Sequence, residues 1–174
     1  MTLFQLKAIK AQKMNIPQVR LKLLNALRKE GKIVEKEYQR TITTWKGAKP
    51  KFISLIGLER GDGHASVLTG PSGSTLGVQK WVWLDEGTKA HIIKARNRPR
   101  LVFRQGGFRA KTSIGNLDSS GGAAATGPKR FAKQVNHPGI KARGWTKLLQ
   151  KRREHPFRDA MIKAVKAGTD GIYR

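Results

Sequence analysis

The sequence predicts an α+β fold: a twisted antiparallel sheet packed by a long N-terminal helix and a C-terminal helix, with a long flexible basic loop. Two patterns predict this fold, because apolar residues recur at helical spacing near both ends and short apolar runs bounded by Gly and Pro fill the middle. The 174 residues, 38% hydrophobic and without Cys, suffice for one domain whose core needs no disulfide. The expected segments are an N-terminal arm (1–16), a helix (17–43), the sheet (51–103), the flexible loop (104–133), and a last strand with the C-terminal helix (134–174).

The N-terminal helix is predicted over residues 17–43. Pro17 suits the first helical turn. The apolar residues on one helical face, at steps of four or seven, are Val19, Leu23, Leu27, Val34 and Tyr38. The opposite face is basic, so this helix either packs on the sheet, the interpretation we favour, or presents cations to a phosphate backbone. Gly31 lies inside the pattern and can mark a bend.

Short strands are predicted through the middle of the chain. Residues 51–56 form an apolar run, and residues 65–69 follow a Gly-Asp-Gly turn at 61–63. Residues 78–84 alternate, and as a strand they would place Trp81 and Trp83 on one face, in the core or at a subunit interface. Two more strands are expected at 91–93 and 101–103. The turn signals between these runs indicate an antiparallel sheet built from hairpins.

Both periodic patterns disappear between residues 105 and 133. Gly, Ser and Ala dominate this stretch, which predicts a long, flexible loop that is either functional or disordered. A last strand is expected at 131–137. The closing helix is predicted over about 156–167, where Phe157, Met161 and Val165 recur at steps of four, after a turn or short helix around Trp145.

The positive charge is concentrated in the second half of the chain. Residues 87–153 contain seventeen Lys and Arg and a single acid, Asp118, so they supply +16 of the formal net charge of +25. One fold cannot neutralise such a surplus by itself, which indicates a polyanionic partner, most commonly nucleic acid. The cations are dispersed, and no zinc-finger, RNP or KH signature occurs in the sequence. This pattern favours sequence-independent contact with phosphates over base readout.

The sequence offers no set of residues for catalysis or for a cofactor. Its four histidines are His64, His91, His137 and His155. They show no ligand spacing, and no thiol completes a metal site. The glycine-rich stretch at 70–75 lacks the lysine of a phosphate-binding loop, and no Gly-x-Ser-x-Gly nucleophile elbow occurs. We therefore expect no enzyme, no metal and no cofactor. No run approaches the roughly 20 apolar residues of a membrane span, and lysines interrupt the first residues where a signal peptide is apolar.

Three segments, taken in order, resemble one protein family. Residues 81–93 contain a strand-like run, an acid-x-Gly-Thr turn and a His-x-Ile strand; residues 101–103 read Leu-Val-Phe; residues 135–143 contain His-Pro-Gly-x-Lys-Ala-Arg. This order resembles the small neck and tail-completion proteins of long-tailed bacteriophages, the HK97-type tail-component group related to the minor tail protein Z of lambda-like phages. After Arg143 the chain has Gly144 and Trp145, where that family usually has Pro-Phe, and a Pro-Phe pair stands later at Pro156.

The motif positions are Asp85, Gly87, Thr88, His91, His137, Pro138, Gly139, Lys141 and Arg143. We interpret them as structural. Gly87 and the Pro138–Gly139 pair suit tight turns, and Thr88 can form a local hydrogen bond. The two histidines are expected to be structural residues and not ligands.

The resemblance implies a structural virion protein in the neck or tail, assembled in the host cytoplasm. It implies a ring, a hexamer in the particle, that completes the tail or joins it to the head around a channel for double-stranded DNA. Its other partners would be neighbouring neck and tail proteins. The residues predicted to face DNA, or else acidic patches on those proteins, are Lys89, Lys94, Arg96, Arg98, Arg100, Arg104, Arg109 and Lys111. The alternative is a cellular protein that binds RNA or DNA without sequence preference.

Overall fold

A computed structural model describes residues 4–7, 17–58, 65–106, 109–119, 121–122 and 124–169. The predicted α+β class is confirmed. The elements are β1 (Phe4–Lys7), α1 (Pro17–Arg40), β2 (Lys51–Leu58), β3 (Ala65–Ser72), α2 (Thr75–Glu86), β4 (His91–Lys94), β5 (Leu101–Arg104), β6 (Lys129–Ala132), β7 (Gln134–His137) and α3 (Trp145–Thr169). The turn predicted at 61–63 and His64 lie outside the described residues. Within the described part of the chain, no helix combines the length and apolar character needed to cross a membrane.

The chain forms two compact units. The first contains the described residues of Met1–Gln39, Pro50–Gly73 and Thr146–Arg174, which include β1 to β3 and most of α1 and α3. The second contains those of Arg40–Lys49 and Ser74–Trp145, which include α2 and β4 to β7. Whether the two units make one domain stays a prediction.

The sheet of the first unit has three antiparallel strands in the order β1-β3-β2. Strands β2 and β3 form the predicted hairpin, in which Ile56 lies opposite Val67. Strand β1 falls within the segment predicted as an N-terminal arm, and it was missed because four residues are too few to show a period. Phe52 and Val67 are buried, whereas Ile53 and Leu55 point to the other face and are exposed.

The first helix packs its predicted face on this sheet. Val19, Leu27, Val34 and Tyr38 are all buried, which confirms the predicted apolar face. The ring of Tyr38 lies 5.2 Å from that of Phe52 on β2. Packing of this kind, more than helix propensity, stabilises a helix in a folded protein.

Gly31 is a point of close approach between α1 and the sheet. A Cβ built on Gly31 would lie 2.7 Å from the Cβ and Oγ atoms of Ser54 and 3.2 Å from Val67. The helix continues through this residue to Arg40. The glycine that interrupts the sequence pattern therefore lets the helix backbone approach the strands.

The last helix is longer than predicted. It begins at Trp145, and Pro156, the predicted start, lies inside it. Proline suits a first turn, but inside a helix it removes the hydrogen bond to the carbonyl four residues earlier, here that of Arg152. The buried stripe continues on both sides of the proline, which shows why the helix persists. Its members are Trp145, Leu149, Phe157, Met161, Ala164 and Gly168.

Within the first unit, α3 runs antiparallel to α1. Near its start, Thr146 accepts a hydrogen bond from the hydroxyl of Tyr38 at 3.4 Å. Midway, Arg153 forms a hydrogen-bonded ion pair with the buried carboxylate of Glu30. The last turn approaches the first turn of α1, where a Cβ built on Gly168 would lie 2.5 Å from the Cα atom of Val19.

Residues 78–84 form part of a helix, so the predicted strand is wrong. Alternation of Val and Trp favours a strand, but Gly77, Trp81 and Asp85 are buried at steps of four, as one face of α2. Trp81 donates a hydrogen bond from Nε1 to Thr41 at 3.0 Å, and its ring lies 5.6 Å from that of Trp145. Burial of this large ring outweighs the weak strand preference of the segment. Trp83 consequently points away from Trp81 and is 44% exposed.

We predict that Gly31→Ala destabilises the protein although alanine is the better helix former. Helix propensity favours the substitution by about 1 kcal/mol, but the added methyl group overpacks the contact with Ser54, at a cost of about 1–3 kcal/mol. Urea denaturation followed by circular dichroism should show a lower free energy of unfolding. Gln39→Ala, at an exposed position of the same helix, should change it by less than about 0.5 kcal/mol. A stabilised Gly31→Ala protein would show that helix and sheet do not meet closely here.

Candidate nucleic-acid interface

The second unit contains a two-stranded antiparallel ribbon, which we call the basic ribbon (residues 88–105 and 128–140). Strand β4 pairs with β7, and β5 pairs with β6. Backbone hydrogen bonds extend the pairing, from the Ala95 amide to the Lys133 carbonyl at 3.0 Å and from the Gln105 amide to the Pro128 carbonyl at 3.3 Å. The strands predicted at 91–93 and 101–103 therefore do not form a hairpin with each other, and each pairs instead with a strand from residues 129–137.

One side of the ribbon carries an insertion, the arginine bulge (residues 96–100). Ala95 bonds to Lys133, whereas Leu101 already lies opposite Ala132, so the five residues between them have no partners on the other strand. All five of its residues are exposed, whereas the flanking Ala95 and Leu101 are half-buried. Unpaired residues on one strand bend a ribbon and direct their side chains outward. The bulge contains Arg96, Arg98 and Arg100.

The base of the ribbon is a tight backbone contact between two motif segments. The amide of Thr88 donates to the carbonyl of Ile140 at 2.9 Å, and the amide of Ile140 donates back at 3.1 Å. The hydroxyl of Thr88 also accepts from the Ile140 amide at 3.0 Å.

Glycine is required on both sides of this contact. Gly87 has φ of 79°, and a Cβ there would lie 2.6 Å from the carbonyl oxygen of Ile140. Gly139 has φ of 87°, and a Cβ there would collide with the carbonyl oxygen of Thr88. Both the left-handed backbone and the lack of space exclude a side chain. These motif glycines therefore hold the two strands together at the base.

The two motif histidines meet in the first pair of the ribbon. His91 lies opposite His137, and their rings stack with centroids 5.0 Å apart. The Nδ1 atom of His91 donates to the Lys89 carbonyl at 2.9 Å, and that of His137 accepts from the Gly139 amide at 3.0 Å. Because each ring is bonded to the backbone of its own turn, the geometry suits a structural role. Among the described residues, no group of three or more His, Cys, Asp and Glu could hold a metal ion.

The remaining motif residues lie where the ribbon joins α2. The amides of Arg143 and Gly144 donate to the carbonyls of Leu84 and Asp85, at 2.8 and 3.0 Å. Asp85 itself is buried on α2, whereas Pro138 and Lys141 are exposed. The structure thus brings the motif positions of residues 85–91 and 137–143 together, although some fifty residues separate them in the sequence.

The segment predicted as a flexible loop, 104–133, is partly built into this unit. Strand β6 starts at Lys129, so the last strands begin earlier than predicted and are two in number. Leu117 is only 1% exposed, and the carbonyl of its neighbour Asn116 accepts a hydrogen bond from Trp145 Nε1 at 2.8 Å. Gly115 donates to the carbonyl of Arg143 at 3.1 Å. A single buried leucine among Gly and Ser was too weak a signal to predict this anchoring.

The residues predicted to face DNA or a partner are mostly exposed on the ribbon. Lys94 belongs to β4, Arg104 belongs to β5, and the three arginines of the bulge lie between them. Lys89 is exposed beside the base, and Arg109 is exposed beyond the end of the ribbon. Lys111 differs, since it is half-buried and its Nζ atom donates to the carbonyl of Thr44 at 3.1 Å.

Three further cations on the opposite strand were missed by the sequence analysis. Lys129, Arg130 and Lys133 are exposed, and Lys129 lies directly opposite Arg104. Lys129 and Arg130 were missed because the strand was expected to start at residue 131, and Lys133 was missed because the partner of that strand was not predicted. Recognising the Leu-Val-Phe and Arg-Phe-Ala runs as partners would have placed them on the ribbon.

The cations of the ribbon have no internal counter-charges. In the described structure, ion pairs to carboxylates are made by Lys32, Arg40, Arg153 and Arg158, and by none of the ribbon cations. Asp118, the one acid of residues 87–153, pairs with Arg40, whose Nε donates to it at 2.8 Å. Like charges held close together repel, so the ribbon favours binding of an external anion.

The ribbon also carries an apolar pair between its cations. Val102 lies opposite Phe131, and these side chains are 53% and 59% exposed. Directly opposite residues share a face, and alternate residues on each strand do too. Val102, Phe131, Arg104 and Lys129 therefore form one face that is both apolar and cationic.

Comparison with known proteins gives no match. No family model, no curated protein and no solved structure matches the chain. The resemblance to phage neck and tail-completion proteins therefore stays a prediction from the motifs.

We predict that Gly139→Ala disrupts the base of the ribbon far more than Gly144→Ala. Both glycines have positive φ, but a Cβ at Gly144 meets nothing within 4 Å. Gly144→Ala should cost about 1–2 kcal/mol from backbone strain, and Gly139→Ala about 2–5 kcal/mol because the collision with Thr88 adds to it. Urea denaturation measures both. Equal losses would contradict the close contact between Gly139 and Thr88.

Proposed function

We propose that the protein is a structural subunit of a bacteriophage neck or tail, which forms a ring around the DNA channel and contacts duplex DNA through its basic ribbon. The observation that carries this proposal is the set of exposed cations on both strands of one ribbon, which form no ion pair with a carboxylate of the described residues. The family motifs in the sequence supply the phage context.

The arrangement supports contact with phosphates and not base readout. The cations of the ribbon lie on a bulge and on short strands, and not on a helix that could insert into a major groove as in a helix-turn-helix protein. Neutralising phosphates releases counterions and gives affinity without sequence preference. A protein that lets DNA pass needs contacts of this kind, because base-specific contacts would hold one sequence in place.

Exposed apolar surface on the first unit supports assembly into a ring. Ile53 and Leu55 are exposed on β2, an edge strand of the three-stranded sheet. Apolar side chains on an exposed edge favour association with another chain. In the proposed ring, this edge contributes to the contact between neighbouring subunits.

The bulge arginines provide the first test. Replacing Arg96, Arg98 and Arg100 together by Gln should weaken binding to random duplex DNA and reduce the slope of log affinity against log salt by about 2–3, one for each lost phosphate contact. The reduction should be the same for unrelated DNA sequences. Fluorescence anisotropy over a salt series measures both quantities.

The matched control replaces Lys22, Lys29 and Lys36 by Gln. These lysines are exposed on α1 in the first unit, so the control removes the same charge from another surface. It should leave most of the salt slope intact. An equal reduction of the salt slope in both triple variants, or no duplex binding at low salt, would contradict the assignment of the ribbon as the DNA contact.

The ring is tested by negative-stain microscopy of the purified protein mixed with phage necks or tails. A sixfold ring with a central channel at one end of these particles is expected. Single subunits distributed along added DNA, with no ring in either mixture, would contradict the neck or tail assignment.

The second candidate is a cellular protein that binds RNA or DNA without sequence preference. The exposed pair Val102 and Phe131 favours it, because apolar side chains among cations can insert between bases when a protein binds outside a channel. This candidate predicts tight binding by a monomer, and a strong loss of affinity on Phe131→Ala. The channel subunit predicts little change on Phe131→Ala.

A further inference from the structure

The second unit contains a pocket that neither the basic ribbon nor the family motifs account for. Its volume is about 330 Å³, and it is enclosed by α2, the segment after α1, residue 111 and the end of the ribbon base. The apolar part of its lining is Trp45, Trp83, Leu84 and Ile140. This size lies at the lower end of the range of ligand pockets, about 300–1,000 Å³, and suits a single large side chain.

Three lysines surround the apolar lining. Lys46, Lys80 and Lys111 all contribute to the pocket, and none of the described residues that line it is acidic. Lys111 is held in position by its hydrogen bond to the Thr44 carbonyl at 3.1 Å. The site therefore combines an apolar floor with a positive rim.

The α2 residues of the pocket lie on one helix face. Lys80, Trp83 and Leu84 are spaced at three and four residues; Trp83 is exposed, Lys80 and Leu84 are half-buried, and Leu76, one turn earlier, is exposed on the same face. Trp81 and Asp85, on the neighbouring helix face, are buried in the unit, so they hold the helix while Trp83 remains accessible. The pocket thus opens onto a short amphipathic surface and not into the core.

We propose that this pocket binds an acidic peptide segment of a partner protein. One aromatic or aliphatic side chain of the peptide fills the apolar floor, and carboxylates next to it pair with the three lysines. A tryptophan-lined pocket with one buried anchor and a charged rim is the usual arrangement of an energetic centre in a protein interface. The proposal does not depend on the proposed function, because the three lysines of the pocket lie outside the ribbon and only Lys111 is among the residues predicted to face DNA.

A nucleobase is a poorer occupant. Its edges carry donors and acceptors, and apart from lysine the side chains of the lining offer no acceptor and, as donors, only the indole N–H groups of Trp45 and Trp83. Burying an unpaired donor or acceptor costs about 1–3 kcal/mol per group. An apolar peptide side chain incurs no such cost, while the lysines attract carboxylates as well as they attract phosphates.

The test uses three fluorescein-labelled peptides and the full chain at about 150 mM salt, where exposed charges are screened beyond roughly 8 Å. The first peptide has one Phe flanked by Asp and Glu on both sides. The second replaces Phe by Ser, and the third keeps Phe but replaces the acids by Asn and Gln. The first peptide should bind about tenfold or more tightly than either of the others, because anchor and charge are both required.

Variants locate the site. Trp83→Ala and Lys80→Glu should each weaken binding of the first peptide about tenfold or more. Lys133→Glu makes the same charge change on the ribbon and should leave the peptide affinity within about twofold, while it weakens duplex DNA binding. Because Trp83 and Lys80 are not core residues, circular dichroism of each variant should match that of the unchanged chain.

Two results would overturn the proposal. Equal affinity for the Phe and Ser peptides would show that net charge alone attracts them. Displacement of the first peptide by an oligothymidylate, with loss of oligothymidylate binding on Trp83→Ala, would make the pocket a nucleic-acid site. Neither result bears on whether the arginine bulge contacts duplex DNA, which the salt series with the bulge variant decides separately.

Discussion

The backbone contact between Thr88 and Ile140 determines how the base of the basic ribbon is arranged. Two reciprocal hydrogen bonds, flanked by Gly87 and Gly139, set which residues of β4 and β7 face each other. Since a shift of one residue would move every side chain to the other face, this contact decides which side chains of β4 and β7 share a face. The pairing of His91 with His137 follows this register, whereas beyond the arginine bulge β5 and β6 pair Val102 with Phe131 in a register offset by the five inserted residues.

Charge balance explains why the ribbon is available to an external anion. The chain has 36 basic and 11 acidic side chains, so most cations cannot find a partner within it. The acids Glu30 and Asp118 pair with cations outside the ribbon, Glu30 with Arg153 and Asp118 with Arg40. Arg153, although it lies within residues 87–153, thereby contributes to the core of the first unit. The cations left over are those of the ribbon and of the exposed helix faces.

The proposed ribbon and pocket use the same charge for different partners. On the ribbon, arginines and lysines are spread over both strands and the bulge, which suits a uniformly charged polyanion. In the pocket, lysines surround two tryptophans, which suits a ligand that is acidic and apolar at once. The sequence left two partners open for the basic residues, namely DNA and acidic patches on neighbouring proteins. A subunit that contacts both DNA and an acidic neighbour would bind both partners.

Much of the first unit could be predicted because its elements are amphipathic. The face of α1 and the hairpin of β2 and β3 show clear periods of apolar residues, and burial of those residues determines the structure. The extent of α3 was also present in the sequence, as a stripe from Trp145 to Gly168, but Pro156 suggested a false start. Local patterns were sufficient wherever a long element buries one face against its neighbours.

Length, charge and the motif residues were determined by the sequence alone, and they indicated a polyanion-binding α+β protein. Only the tertiary structure decided that residues 78–84 are helical, because Trp81 is buried against Trp145, far away in the chain. It alone placed Lys129, Arg130 and Lys133 beside the predicted cations, since strand pairing joins segments that no local pattern connects. The pocket lined by Trp45 and Trp83 likewise forms only because segments distant in the sequence come together. Such features depend on contacts between residues distant in sequence, whose free energy appears only when the chain has folded.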